Sequence, residues 1–462
     1  MMKNKWLYSS FVAVTAAATL VGVNLEAATA VTLSSNSLSS LAANSTQPFY
    51  LPNLTGAFSV GTVSYQFTDF NRTEIFDPSG AAGNRQLAVQ VWYPGQALPG
   101  ASSKAYLEEA GIPIVSGLLG IEPDILSSIR PHALSAVPVA TDQSRYPVVF
   151  LSPGGNGSFL EQHTAQAEEL SSHGYVVVGI SHTYESLVTV FPDGQAIQAN
   201  LSLLPKFTLP ENPTEEDLQK MLETRKQLVE VRTADARFVL DQLEQINVND
   251  PKGLLAGFLD LDNVGIYGHS LGGVTVPEIL RSDSRFKAGL SLDSDPLSIP
   301  FLDYFEGVIP EGLDQPYMIV SDRNDSPNYT NVDDFFASLG LRNDGYSVAI
   351  GGMEHGNFSD LPLLSPLLLA NGFPPEELEL GSIDPLLGTQ VANAYNRAFF
   401  DRYFKNIDSP LLQGGLPDGM NQEDITFVKV SPATSVPEPA TTVTLFGFAG
   451  LGLLTSKRKK TC

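Results

Sequence analysis

The pentapeptide Gly268-His269-Ser270-Leu271-Gly272, entered from the apolar run Val264-Gly265-Ile266-Tyr267, constrains this chain more than any other stretch. A short strand that ends in Gly-x-Ser-x-Gly and passes at once into a helix is a nucleophile elbow. The serine of such a turn sits in strained backbone, so the residues two places away on either side must be nearly free of side chain. Gly268 and Gly272 meet that demand, and Gly273 prolongs the small-residue opening of the helix. The turn holds the Ser270 hydroxyl above the sheet, at a helix N-terminus whose free amides stabilise developing negative charge.

The surrounding pattern says what kind of sheet carries this turn. Strand-like alternation runs over 60–67 and 87–93, which reads as early antiparallel strands at a sheet edge. Near-continuous apolar runs follow at 146–151, 175–180, 264–267, 286–292 and 316–320, with a weaker one at 346–350. Between them lie helical stretches at 162–171, 218–243 and 390–404, the second with Val229, Thr233, Ala236, Val239, Leu240 and Leu243 at helical spacing. Buried strands alternating with helices imply an α/β protein with a mostly parallel central sheet and helices on both faces, the α/β-hydrolase fold, over residues 55–430. Residues 101–140 are an apolar insertion punctuated by Pro113, Pro123 and Pro131, so its helices must be short. It serves either as a satellite core or as a wall over an apolar substrate site.

Both ends read as address rather than fold. Residues 1–30 pass from Lys3 and Lys5 through an apolar stretch to Ala28-Thr29-Ala30, a secretory signal peptide, and 31–54 is a flexible Ser/Ala/Asn/Thr-rich lead-in. At the other end, Val436-Pro437-Glu438-Pro439 precedes an apolar run over 443–454 and then Lys457-Arg458-Lys459-Lys460. Residues 436–460 thus resemble the bacterial PEP-CTERM sorting signal. That resemblance implies export to the cell envelope or beyond, a sorting machinery as partner, and a transient tether through a short transmembrane helix. From length alone the run is short, since a spanning helix needs about 20 apolar residues.

Composition removes several function classes. Lys and Arg number 27 against 51 Asp and Glu, a net charge of −24, which repels nucleic acid. Cys462 is the sole cysteine, so no disulfide closes within the chain and no thiolate site is expected. With six histidines and no His-Glu-x-x-His, no metal site is expected either, and no cofactor.

A serine hydroxyl needs an imidazole to take its proton, and the imidazole needs a carboxylate to fix its tautomer. In this fold class the chain order is Ser, acid, His. His355 is the one histidine after Ser270, and it lies in a glycine-rich loop beyond the 346–350 strand. Asp293, Asp322 and Asp325 all follow strand ends on the face where parallel sheets place their chemistry, with Asp295 beside the first. His182 ends the strand at 175–180 on the same face and is a candidate for the substrate pocket, with Tyr184 and Glu185 beside it. His163 and His173 fall in or beside the following helix and suit structural roles.

The elbow, Ala288-Gly289-Leu290-Ser291-Leu292-Asp293 and His355-Gly356-Asn357-Phe358-Ser359-Asp360, with 85–93 and 146–175, resemble the platelet-activating factor acetylhydrolase family over roughly residues 55–405. Such enzymes are calcium-independent serine esterases that remove short or oxidised sn-2 acyl groups from phospholipids. The resemblance implies Ser270, Asp293 and His355 as catalytic residues, and the backbone amides of Leu271 and Gly155 as oxyanion donors. Pro153 stands where the family usually has histidine, which stiffens the loop and removes a polar side chain. A secreted general carboxylesterase or polyester hydrolase would share these motifs. An inactive hydrolase scaffold that binds a surface would lack the intact Ser, Asp and His.

Overall fold

The computed structural model describes residues 47–81, 83–155, 157–206, 214–294, 312–322, 336 and 340–431. Ten strands form one sheet: β1 (Ser59–Thr73), β2 (Asn84–Gly95), β3 (Leu134–Ser135), β4 (Tyr146–Ser152), β5 (Val176–Ser181), β6 (Leu259–His269), β7 (Phe286–Leu292), β8 (Tyr317–Asp322), β9 (Gly345–Ile350) and β10 (Ile425–Val430). Their spatial order is β10-β9-β8-β7-β6-β4-β5-β2-β1-β3. From β5 through β4, β6, β7 and β8 to β9 every pairing is parallel. β2 joins β5 antiparallel and β10 joins β9 antiparallel, so the mixed pairing is confined to the two flanks. This is the mostly parallel α/β architecture that the apolar runs imply.

Helices cover both faces because both faces of the central strands are apolar. α4 (Glu215–Val248) and α5 (Leu271–Ser282) pack Val239, Leu240, Leu243, Val276 and Ile279 against Val148, Phe150, Val264 and Ile266. On the other side, α3 (Thr164–Ser172) and α7 (Pro385–Phe404) set Leu170, Tyr395, Phe399 and Phe400 against Val149, Leu151, Tyr267 and Leu290. Each such aliphatic side chain taken fully from water contributes about 1.5–3 kcal/mol. The strand register then aligns the chemistry. Gly268 lies opposite Ser152 on β4 and Ser291 on β7, so the segments that follow these three strands leave the sheet side by side.

The insertion at 101–140 forms a satellite core. Its helices α1 (Ile112–Leu119) and α2 (Pro123–Ser128) are short, each with proline in its first turn, where the missing N–H costs no hydrogen bond. Tyr106, Leu107, Val115 and Ile125 pack against Phe159 and against Leu363 and Leu367 of α6 (Leu361–Ala370). The insertion therefore braces the two segments that flank the candidate site.

One buried carboxyl in this region predicts a pH effect. Glu161 follows Leu160 in a 3-10 turn; its Oε2 is buried with no hydrogen-bond partner among the described residues. Burial pushes its pKa up to about 7, with Lys104 pulling the other way. The folded chain then binds a proton that the unfolded chain releases between about pH 4.5 and 7, so stability falls as pH rises across that window and levels off above it. Glu161→Gln is expected to raise stability at pH 8 by about 1–3 kcal/mol and to change little near pH 4.5. Urea unfolding at both pH values checks this, and an equal effect at the two would refute it.

The expected transmembrane helix is corrected. Among the described residues no helix is long and apolar enough to cross a membrane. The 443–454 run that prompted the expectation lies outside the described residues and falls well short of the about 20 residues a span requires. The remainder of 436–460, residues 1–30, Asp295 and Asp325 also lie outside them.

Candidate active site

Ser270 stands between β6 and α5 with φ 53° and ψ −123°. A non-glycine residue held there costs about 1–3 kcal/mol and persists only where its surroundings enforce it. They do. Ser270 donates its amide to the Leu292 carbonyl at 3.1 Å, and Ser294 Oγ donates to the Ser270 carbonyl at 2.9 Å. A Cβ at Gly268 would lie 2.7 Å from the Gly273 nitrogen, and one at Gly272 would lie 2.6 Å from the Pro153 carbonyl oxygen and strike that of Ser152. Glycine is thus required on both sides, and Gly272 lets the loop after β4 close onto the elbow.

Asp293 follows β7 with φ 41°, its amide bound to the Val320 carbonyl at 2.8 Å. Its Oδ1 accepts the Asp322 amide at 3.1 Å, and its Oδ2 lies 2.6 Å from His355 Nδ1. Since Asp293 Oδ2 is an acceptor, Nδ1 carries the proton in the neutral imidazole, and Nε2 is left as the base. Burial alone would depress the His355 pKa. The hydrogen bond and charge of Asp293, joined by Glu379 and Asp322, outweigh it and raise the pKa above the ordinary value.

The loop that carries His355 is tightly built, which explains its sequence. Asn357 Oδ1 accepts the Glu354 amide at 2.9 Å and the Gly381 amide at 2.8 Å. Asp360, buried, accepts the Ala165 amide of α3 and the Tyr106 hydroxyl, each at 3.2 Å. His269 Nε2 donates to the His355 carbonyl at 3.2 Å, and the two rings lie 4.5 Å apart. Ser270, Asp293 and His355 are each partly exposed, unlike the core around them.

Leu271 is the first residue of α5, so its amide is one that the helix itself leaves unused. Gly155 lies in the buried loop after Ser152. The structure thus brings Ser270 and Leu271 to the end of β6, Gly155 beyond the end of β4, and Asp293 beyond the end of β7 in contact with His355.

His182, a candidate for the substrate pocket, lies sealed from solvent. It is 1% exposed, with Nδ1 2.8 Å from Asp235 Oδ2 and Nε2 3.1 Å from Ser152 Oγ. Glu185 is likewise sealed, whereas Tyr184, at φ 66°, is partly exposed and packs beside Leu271. His163 is buried and its pKa is pushed down to about 4 by desolvation, while His173 contacts Glu169.

Around His182 lies a network that sequence reasoning missed. Arg85 bridges Asp235 through Nε at 2.8 Å and Nη2 at 2.6 Å, and reaches Glu74 at 2.7 Å. Arg232 binds Glu185 at 2.8 Å. The signal was present: Arg232 and Asp235 sit among Leu228, Val229, Ala236 and Val239 on the buried face of α4. Charges on a stripe that must be buried require buried partners. His182, Glu185 and Asp235 have ligand atoms near enough to share a cation. Both carboxylates already face guanidinium groups, which supply positive charge at that place.

Known proteins resemble this chain in sequence and in fold. The model of the family "Platelet-activating factor acetylhydrolase, isoform II" matches residues 43–410, and that of the PEP-CTERM protein-sorting motif matches 435–459. This motif is characteristic of proteins exported to the bacterial cell envelope or beyond it. A platelet-activating factor acetylhydrolase from Cavia porcellus is 26% identical over 384 residues, covering 79% of this chain and 81% of the relative. A probable 1-alkyl-2-acetylglycerophosphocholine esterase from Arthroderma benhamiae is 25% identical over 53% of this chain and 59% of its own. Among solved structures, a ferulic acid esterase from Streptomyces cinnamoneus superposes with a TM-score of 0.62 at 26% identity, covering 82% of this chain and 98% of that one.

Proposed function

This chain belongs to the platelet-activating factor acetylhydrolase, isoform II family, and we propose that it is an exported serine esterase that cleaves short or oxidised sn-2 acyl groups from phospholipids. The observation that carries the reading is the 2.6 Å contact between His355 and Asp293 beside a serine held in elbow backbone. In this mechanism Ser270 Oγ attacks the ester carbonyl while His355 Nε2 takes its proton. Asp293 stabilises the imidazolium that forms. The amides of Leu271 and Gly155 donate to the oxyanion of the tetrahedral intermediate, each worth about 3–4 kcal/mol. His355 then returns the proton to the leaving alcohol, and a water activated by the same imidazole hydrolyses the acyl-enzyme. No step requires a metal or an organic cofactor.

The likeness to a ferulic acid esterase supports a second reading, a general carboxylesterase. A turnover panel separates them. On purified protein with calcium chelated, sn-2 acetyl phospholipid is expected to exceed both sn-2 long-acyl phospholipid and non-phospholipid short esters in kcat/KM. Equal or better activity on long-chain sn-2 esters would overturn the acetyl preference. A preference for phenolic or polymeric esters would establish the second reading instead.

A further inference from the structure

We propose that Arg232 is a positioning residue that aims the oxyanion loop, an inference that rests on the serine esterase reading above. Arg232 is 0% exposed, yet it spends two of its nitrogens on backbone carbonyls: Nη1 donates to Pro153 O at 2.6 Å and Nη2 to Gly154 O at 2.9 Å. Its Nε donates to Glu185 Oε2 at 2.8 Å, and Glu185 Oε1 lies 3.4 Å from Arg85 Nη2. A buried guanidinium is expensive unless its donors are satisfied and its charge is opposed. Here the counter-charge lies behind it and both forward donors face one loop.

The geometry of the peptide bond makes this consequential. In a trans peptide the N–H points opposite to the preceding C=O. Holding Gly154 O toward Arg232 therefore turns the Gly155 N–H the other way, away from the buried network. Neither the Pro153–Gly154 nor the Gly154–Gly155 peptide can flip without breaking a charge-assisted hydrogen bond to a guanidinium closed to water. The same bond polarises the Gly154–Gly155 peptide and makes its N–H a stronger donor. Gly272 also backs onto the Ser152 and Pro153 carbonyls, so both α4 and the elbow hold the loop. Proline at 153, having no N–H to offer, leaves its carbonyl as the group by which this position is held.

The test uses Arg232→Lys and Glu185→Gln with p-nitrophenyl acetate as substrate and the acylation burst as a count of competent sites. Lysine keeps the charge but cannot span two carbonyls and Glu185. Arg232→Lys is expected to lower kcat per competent site about 30–100-fold with KM within about threefold. Affinity for a trifluoromethyl ketone, whose hemiketal oxyanion uses the same donors, should fall by a similar factor. Glu185→Gln, which leaves Arg232 in place but loosens it, should give about a tenfold loss with the same pattern, and carries the test if the lysine variant does not fold. A merely structural role would lower the number of competent sites and the Tm while each remaining site turned over at the wild-type rate, and that result overturns the proposal. Failure of a fluorophosphonate probe to label wild-type Ser270 would instead overturn the esterase reading, and the proposal with it.

Discussion

Ser270→Ala is expected to abolish fluorophosphonate labelling and to lower kcat about 10⁶-fold, with little change in Tm, whereas Ser152→Ala should still label stoichiometrically. The contrast matters because the protein also holds a second, buried set of Ser, His and Asp side chains in mutual contact. In the second, Ser152 Oγ lies 3.1 Å from His182 Nε2, and His182 Nδ1 lies 2.8 Å from Asp235. Access and electrostatics separate the two sets. Ser152 is 2% exposed, His182 1% and Asp235 0%, so no ester reaches that hydroxyl. Burial, followed by the charge of Arg232, pushes the His182 pKa down to about 4, which makes it a poor acceptor for a serine proton. Burial opposes the Asp235 charge, but Arg85 and then the His182 hydrogen bond outweigh it and keep the carboxylate from protonating, and the Arg85 and Arg72 guanidinium groups already draw on its charge. His355 is shifted the other way, toward holding a proton in the transition state. Intact-mass analysis of the labelled variants reads the result. Labelling that survives in Ser270→Ala and vanishes in Ser152→Ala would move the chemistry to the buried array.

Much of this was legible in the sequence because the active face of a parallel sheet is written locally. Strand-end residues such as Ser270 and Asp293 follow apolar runs directly, and the expected bounds of β7 match the observed ones, Phe286–Leu292. Long-range pairing was less visible. β10 closes the sheet some seventy residues after β9, and its alternating Ile425–Val430 is too short to announce an antiparallel edge. α6 escaped notice because Pro362 and Pro366 interrupt its apolar pattern, although Pro362 sits in the first turn, where it is tolerated. A position at a strand end makes His182 a candidate for the substrate pocket. That position says which edge of the sheet a residue leaves from, not whether a helix lies over it; Asp235 of α4 does. The Arg85–Asp235 and Arg232–Glu185 pairs join residues far apart in the chain, and spacing alone could have shown that the helix charges were buried, not which partners they meet.

Asp293→Asn is expected to lower kcat/KM about 10⁴-fold, while Asp325→Asn stays within about tenfold. Asparagine tolerates left-handed backbone, so the φ of 41° at position 293 does not by itself confound the comparison. Its Oδ1 can still accept the Asp322 amide, as the aspartate does at 3.1 Å. The atom then facing His355 Nδ1 is an amide nitrogen, a donor, so the imidazole must turn its lone pair to Nδ1 and carry its proton on Nε2. An Nε2 that already bears a proton cannot take one from Ser270. The pH profile supplies an independent sign. In the wild type the base must be neutral, so kcat/KM falls as pH drops through the His355 pKa, and the pairing with Asp293 places that limb above the ordinary histidine value of about 6.5. Losing the carboxylate removes the largest influence opposing burial, so residual activity in Asp293→Asn should show its acid limb at lower pH than the wild type. A limb that stays in place, or an Asp325→Asn loss larger than that of Asp293→Asn, would show that a different carboxylate orients the imidazole.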